Sequence, residues 1–186
     1  MPKLAPLIVC MFVAAGIAAA AGPALAGGLV DEVRLGVLQQ NIEPRGHEQE
    51  YGFDLNGEIF FAPLFARTGD HPRDAFSVRP VIGGSYNLSR TTDMLYVDLN
   101  WHLPLATGFF LEIGTGGALH DGALESDTGG SEYGCRVNFH ESAALGYDID
   151  EHWRLTLEVD HMSNARLCSH NRGLTNGGVR LGYQFD

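Results

Sequence analysis

Along most of the chain, apolar and polar residues alternate with the two-residue period of strands whose two faces meet different surroundings. Tyr51, Phe53, Leu55, Ile59 and Phe61 oppose Asp54, Asn56 and Glu58. Leu95, Val97, Leu99, Trp101 and Leu103 oppose Tyr96, Asp98, Asn100 and His102, while Val179, Leu181, Tyr183 and Phe185 oppose Arg180, Gly182 and Gln184. Segments 33–39, 76–88, 109–115, 137–147 and 153–163 bring the predicted strands to eight. Each is near the roughly 9 to 11 residues with which a tilted strand crosses a bilayer.

Eight half-apolar strands fit two architectures. A soluble barrel turns its apolar face inward around a ligand, whereas an outer-membrane barrel turns it outward into lipid and fills a narrow lumen with polar groups. Alternation does not choose between them, but three other features do. Aromatic residues stand at strand ends (Tyr51, Phe61, Trp101, Trp153, Tyr183, Phe185), the polar faces carry opposed charges, and the chain closes on an alternating strand with a near-terminal aromatic. The predicted fold is all-β, an eight-stranded antiparallel up-and-down outer-membrane β-barrel. Arg79, Arg136 and Arg180 are expected to pair in the lumen with Glu58, Glu112, Glu158 or Asp160. The terminal Asp186 departs from the terminal Phe common in bacterial barrels of this kind.

The beginning of the chain agrees with export. Lys3, the apolar run 4–21 and Ala24-Leu25-Ala26 predict a secretory signal peptide over 1–26, leaving a barrel domain over 27–186. Gly22, Pro23 and the shortness of the run argue against a retained anchor, and Cys10, preceded by Val9, does not fit a lipoprotein site. The formal net charge is −11, and Lys3 is the sole lysine. This excess of acid argues against unaided binding to nucleic acid or anionic headgroups. Beyond the leader, Cys135 and Cys168 form an even pair in an oxidising compartment.

Topology places the candidate chemistry. A barrel chain entering from the periplasm runs odd strands outward, with short inner turns (104–107 and 148–152) and long outer segments (118–134 and 165–176). Residues 62–75 would be an unusually long inner turn. On β-strand 153–163 the apolar row Leu155, Leu157, Val159 continues into His161 and Ser163, which therefore face the outer leaflet, where the lipid is lipopolysaccharide. An imidazole and a hydroxyl two residues apart share one face, so the base can activate the hydroxyl as a nucleophile.

His161-Met162-Ser163-Asn164-Ala165, Asn171-Arg172-Gly173-Leu174, the closing segment Gly178 to Phe185, and Phe110-Leu111-Glu112 leading to Gly116-Gly117-Ala118-Leu119-His120-Asp121-Gly122 resemble the lipid A 3-O-deacylase (PagL-like) family, also called acyloxyacyl hydrolases. The resemblance implies an outer-membrane esterase that removes the acyl chain at position 3 of lipid A, with no metal or other cofactor. It further implies Ser163 as nucleophile, His161 as general base and Asn164 as oxyanion donor. The family's acid stands twelve residues after the serine, where this chain has Thr175.

That departure leaves three readings: Thr175 or Asn176 orients His161, another carboxylate substitutes, or the site is degenerate and the barrel is a non-catalytic envelope or lipid-binding scaffold. Asp160 and Glu158 have lumen parity, whereas Glu141 shares the outward parity of His161, and a three-residue turn at 150–152 would pair 141 with 161. Glu141 is therefore the candidate acid. The same register brings Cys135 near position 167, predicting a disulfide with Cys168 that closes a long loop. A metal site built from Cys135, Cys168 and His170 falls short of a closed zinc set. His102 and His140 have lumen parity and are expected to pack by hydrogen bonds; His120 and Asp121 either line a substrate approach or cap a strand. Asn171, Gly173 and Asn176 read first as loop formers and second as support for the catalytic loop. A soluble periplasmic lipid-binding barrel is a third functional reading, and a channel is disfavoured because eight strands leave an interior that side chains fill.

Overall fold

The structure, a computed structural model, describes residues 28–43, 50–65, 77–125 and 132–185; the predicted leader lies outside them. The strands are β1 (Val30–Gln39), β2 (Phe53–Phe61), β3 (Val78–Asn87), β4 (Met94–Pro104), β5 (Phe109–His120), β6 (Val137–Asp148), β7 (Trp153–Ser163) and β8 (Leu174–Gln184). Each pairs antiparallel with the next, and β8 pairs with β1 to close the barrel.

The two faces are inverted relative to a soluble protein. Val97, Leu157 and Val179 are more than half exposed, while Arg34, Arg79 and Arg180 are about 1% exposed. An apolar exterior around a charged interior is stable only when lipid surrounds it. This rules out the soluble lipid-binding barrel, whose apolar face would point inward.

Two strands run furthest beyond what alternation predicts. β5 continues past Thr115 to His120, and β8 begins at Leu174, ahead of Val179. The reason is glycine: Gly116, Gly117, Gly177 and Gly178 carry no side chain to reveal a face, yet the ladder runs through them, with Gly117 opposite Val97 and Phe139 and Gly177 opposite Gln39 and Val159. Asn176, expected in a loop, is thus a fully buried strand residue.

In the lumen, carboxylates are shared among guanidiniums. Glu112 accepts from Arg34 Nη1 at 2.5 Å and from Arg79 Nη2 at 2.7 Å, with His102 Nδ1 at 3.0 Å. Glu32 accepts from Arg34 Nε at 2.5 Å, Arg79 Nη1 at 2.9 Å and Arg154 Nη1 at 3.1 Å. Arg180 pairs with Glu58 and Glu158. Arg34 and Arg79 also lie over the Phe60 ring, 4.0 and 4.5 Å from its centroid. Arg136 departs from the expected set because β6 starts only at Val137. From the outer rim its Nη1 donates to the carbonyls of His120 and Gly122.

Toward the outer end, His140 Nδ1 meets Asp98 Oδ2 at 2.7 Å and its ring stacks on Tyr96, as expected of a packing histidine. Met94, Tyr96, Ala118, Tyr133, Met162 and Leu174 then fill the lumen with an apolar cluster. At the opposite end, Trp153 and Phe185 pack edge-on against Tyr183. In the β6–β7 turn Asp150 Oδ1 accepts from the amides of Trp153 and His152, and these bonds hold its carboxyl below the usual carboxylate range. Most of the 62–75 segment lies outside the described residues.

Candidate active site at the outer end of β7

The register brings three residues into one transverse row on the outward face. Glu141 of β6 is opposite His161, and His161 is opposite Thr175 of β8. Ser163, two residues beyond His161 on the same face, is opposite Phe139. The side chain of His161 keeps 37% of its surface exposed, and its Nδ1 lies 2.8 Å from Thr175 Oγ1.

The imidazole therefore leans toward β8. Among the described residues no hydrogen bond or ion pair joins it to Glu141, although the pairing of 141 with 161 is as the turn length predicts. A carboxylate does reach the row from elsewhere. Glu43, after the end of β1, accepts a hydrogen bond from Thr175 Oγ1 at 2.5 Å, and its Oε1 is 4.0 Å from His161 Nδ1. No local pattern singles out Glu43. The available signal is barrel closure, which pairs Gln39 with Gly177 and so brings the continuation of β1 beside Thr175.

Gly173 lies against the imidazole. A Cβ at this position would stand 2.5 Å from His161 Cε1 and 3.0 Å from Nε2, so glycine is what leaves room for the ring. Asn171 also supports the site, accepting the backbone amide of Asn164 on its Oδ1 at 2.8 Å. Both residues, read first as loop formers, thus lie directly against Asn164 and His161, respectively.

Asn164 is buried at 2% exposure, and its Nδ2 donates to the carbonyls of Tyr133 at 2.7 Å and His170 at 2.5 Å. Both amide hydrogens are committed, so acting as a side-chain oxyanion donor would require one of these bonds to break. What Asn164 does here is fix the loop. Ala165 and Arg166 follow at φ of 52° and 65°, and Leu167 N closes the turn onto Asn164 O at 2.9 Å. Two successive non-glycine residues in the left-handed region cost energy that the surrounding bonds must offset. Cys135 and Cys168 form a disulfide, with Cα atoms 5.9 Å apart, that ties this loop to the approach to β6. The metal alternative fails on the same geometry, because both sulfurs are bonded to each other and His170 Nδ1 pairs with Glu132 Oε2 at 2.7 Å.

His120 is fully buried, with Nε2 2.7 Å from Cys135 O and its ring edge-on to Tyr133, and Asp121 Oδ1 accepts the amide of Asp93. These two residues hold strand ends together. A groove of about 250 Å³ runs over Gly116, Gly117, Val137, Phe139 and Leu167 and reaches Asn164, the residue after Ser163; Phe139 is also the strand partner of Ser163. The groove floor is low because Gly117 has no side chain, and a Cβ there would meet only Asn138 O, at 3.6 Å.

A closed eight-stranded barrel, greasy outside and ionic within, with serine and histidine at the outer end of an outward row, defines a bacterial outer-membrane β-barrel. The family model of the lipid A 3-O-deacylases (PagL) matches residues 83–184, more than half of the chain, and the chain belongs to that family. It is accordingly a protein of the Gram-negative outer membrane. Among solved structures, the crystal structure of the outer membrane enzyme PagL is similar at a TM-score of 0.57 and 15% identity, over 81% of this chain and 97% of that one. A de novo designed transmembrane β-barrel is similar at 0.51 and 12%, over 83% and 94%. Neisserial surface protein A gives 0.48 and 10%, over 83% and 95%. At such identities the structural likeness shows the fold alone. No curated protein sequence matches the chain.

Proposed function

We propose that this barrel is a serine esterase that hydrolyses the ester-linked acyl chain at position 3 of lipid A in the outer leaflet. The observation that carries the reading is the outward row itself: His161 bonded through Nδ1 to Thr175, with Ser163 next on the same face of β7. Family membership supplies the reaction class. In the reaction, Ser163 Oγ attacks the ester carbonyl while His161 Nε2 takes its proton; the tetrahedral intermediate then expels the sugar O3 alkoxide, which receives that proton from the imidazolium. Water, deprotonated by the same nitrogen, hydrolyses the acyl-serine and releases the fatty acid. The groove that reaches Asn164 suits the acyl chain, being lined mainly by apolar side chains and glycine. Asn164 serves by holding the loop that follows the nucleophile.

Mass spectrometry of lipid A from cells displaying equal amounts of wild type and Ser163→Ala tests the proposal. The wild type should remove one hydroxyacyl chain and the variant none, a loss of about 10⁴-fold or more in rate if the serine and histidine act as a unit. Identical spectra from both would overturn it and favour a non-catalytic scaffold.

A further inference from the structure

We infer that Glu43, from the loop after β1, is the positioning carboxylate of this site and acts on His161 through the hydroxyl of Thr175. The inference rests on the esterase reading for its consequence, but its geometry stands apart from it. Thr175 Oγ1 lies 2.8 Å from His161 Nδ1 and 2.5 Å from Glu43 Oε1. A hydroxyl carries one proton, and an ionised carboxylate only accepts. The threonine proton therefore goes to Glu43, and the threonine oxygen accepts from Nδ1, which must itself carry hydrogen. Neutral imidazole protonated on Nδ1 leaves its lone pair on Nε2, the form that a base needs to take the proton of Ser163. Glu43 Oε1 is 4.0 Å from Nδ1, too far to bond directly, so the hydroxyl is the necessary link. When the ring becomes imidazolium, the carboxylate is near enough to stabilise it.

Glu43 is held by its neighbours. Ile42 N donates to Thr175 O at 2.9 Å and Asn41 N to Asn176 Oδ1 at 3.2 Å, stitching residues 41–42 to the start of β8. Asn41 sits at φ 57°, a left-handed conformation that asparagine tolerates. Ile42 Cδ1 covers Gly177. Arg172, in the loop before β8, interacts electrostatically with Glu43. Glu141 faces His161 from the neighbouring strand, and among the described residues no hydrogen bond or ion pair joins the two. The arrangement explains why an acid is dispensable at position 175: the threonine passes on the hydrogen bond of a carboxylate supplied by another loop.

The test is kinetic and spectroscopic, on the full barrel in lipid A-containing vesicles. Glu43→Gln and Thr175→Val should each lower kcat on the order of ten- to a hundredfold with KM unchanged, less than direct loss of a triad acid because the effect is relayed. The double variant should be no slower than Thr175→Val, since the two act as one chain. Thr175→Asp placed in the Glu43→Gln background should restore activity, a rescue that a merely structural role would not give. Nitrogen-15 NMR of the neutral His161 ring should find Nδ1–H in the wild type and a mixture of tautomers in Thr175→Val and Glu43→Gln, whether or not ester is cleaved. A Glu43→Gln variant within about twofold of wild-type kcat, with Ser163→Ala inactive, overturns the inference and leaves the esterase reading intact. If the wild type cleaves no lipid A, the esterase reading falls and the tautomers decide: an unchanged distribution in the variants overturns the inference too.

Discussion

The two faces of β7 treat polar groups in opposite ways. Inward, Glu158 pairs with Arg180, Asp160 accepts from Asn176 at 2.9 Å, and each of these side chains is almost fully buried. Outward, His161 remains 37% exposed, and among the described residues its ring is bonded at Nδ1 while no hydrogen bond engages Nε2. A buried charge must be saturated with partners, because an unpaired one costs several kcal/mol. Saturation locks it. A group with one nitrogen tethered and the other open is oriented and still available to react, as the proposed role of His161 as a base requires.

The strongest way to test this division is to break the lumen while sparing the outward row. Glu112→Gln leaves Arg34 and Arg79 short of a shared anion and should cost about 3–5 kcal/mol of stability. Urea unfolding of the refolded barrel would measure it, and hydrolysis per folded molecule should stay near wild type. A stable variant with lost hydrolysis would mean that the two faces are coupled. Gly173→Ala approaches from the other side. Its methyl would press on His161 Cε1, so kcat should drop about ten- to a hundredfold, as small misplacements of a reacting group do, with the unfolding midpoint little changed. The smallest effect is expected of Gly117→Leu, which extends a side chain into the groove that reaches Asn164. Roughly tenfold selection against long acyl esters, with short esters turned over normally, would show the groove to be where the chain lies. Equal loss for all chain lengths would place the chain elsewhere.

Much of this arrangement is legible in the chain. Period-two alternation yields eight strands, and a three-residue turn fixes the pairing of Glu141 with His161 and, by extension, brings Cys135 toward Cys168. Ion pairs of Arg79 and Arg180 follow from parity, whereas Arg136 misleads because parity says nothing about where a strand begins. The start of β8 is hidden by glycines, so Thr175 reads as loop although it sits in the ladder opposite His161. The role of Asn164 is obscured for another reason: which carbonyls capture its amide depends on Tyr133 and His170, whose approach is set by loop packing. Glu43 is hardest to see, since it meets Thr175 across 132 residues of sequence and through a hydroxyl that local patterning cannot orient.

That separation has a consequence for how the protein is made. Glu43 follows the first strand and Thr175 belongs to the last, so their contact lies across the β1–β8 seam and exists only once the two chain ends have met. A chain in transit carries His161 and Ser163 on one hairpin, but the bridge behind the imidazole is missing. Completion of the proposed site is thus tied to insertion and closure, so that the barrel's own seam does the work of a maturation step.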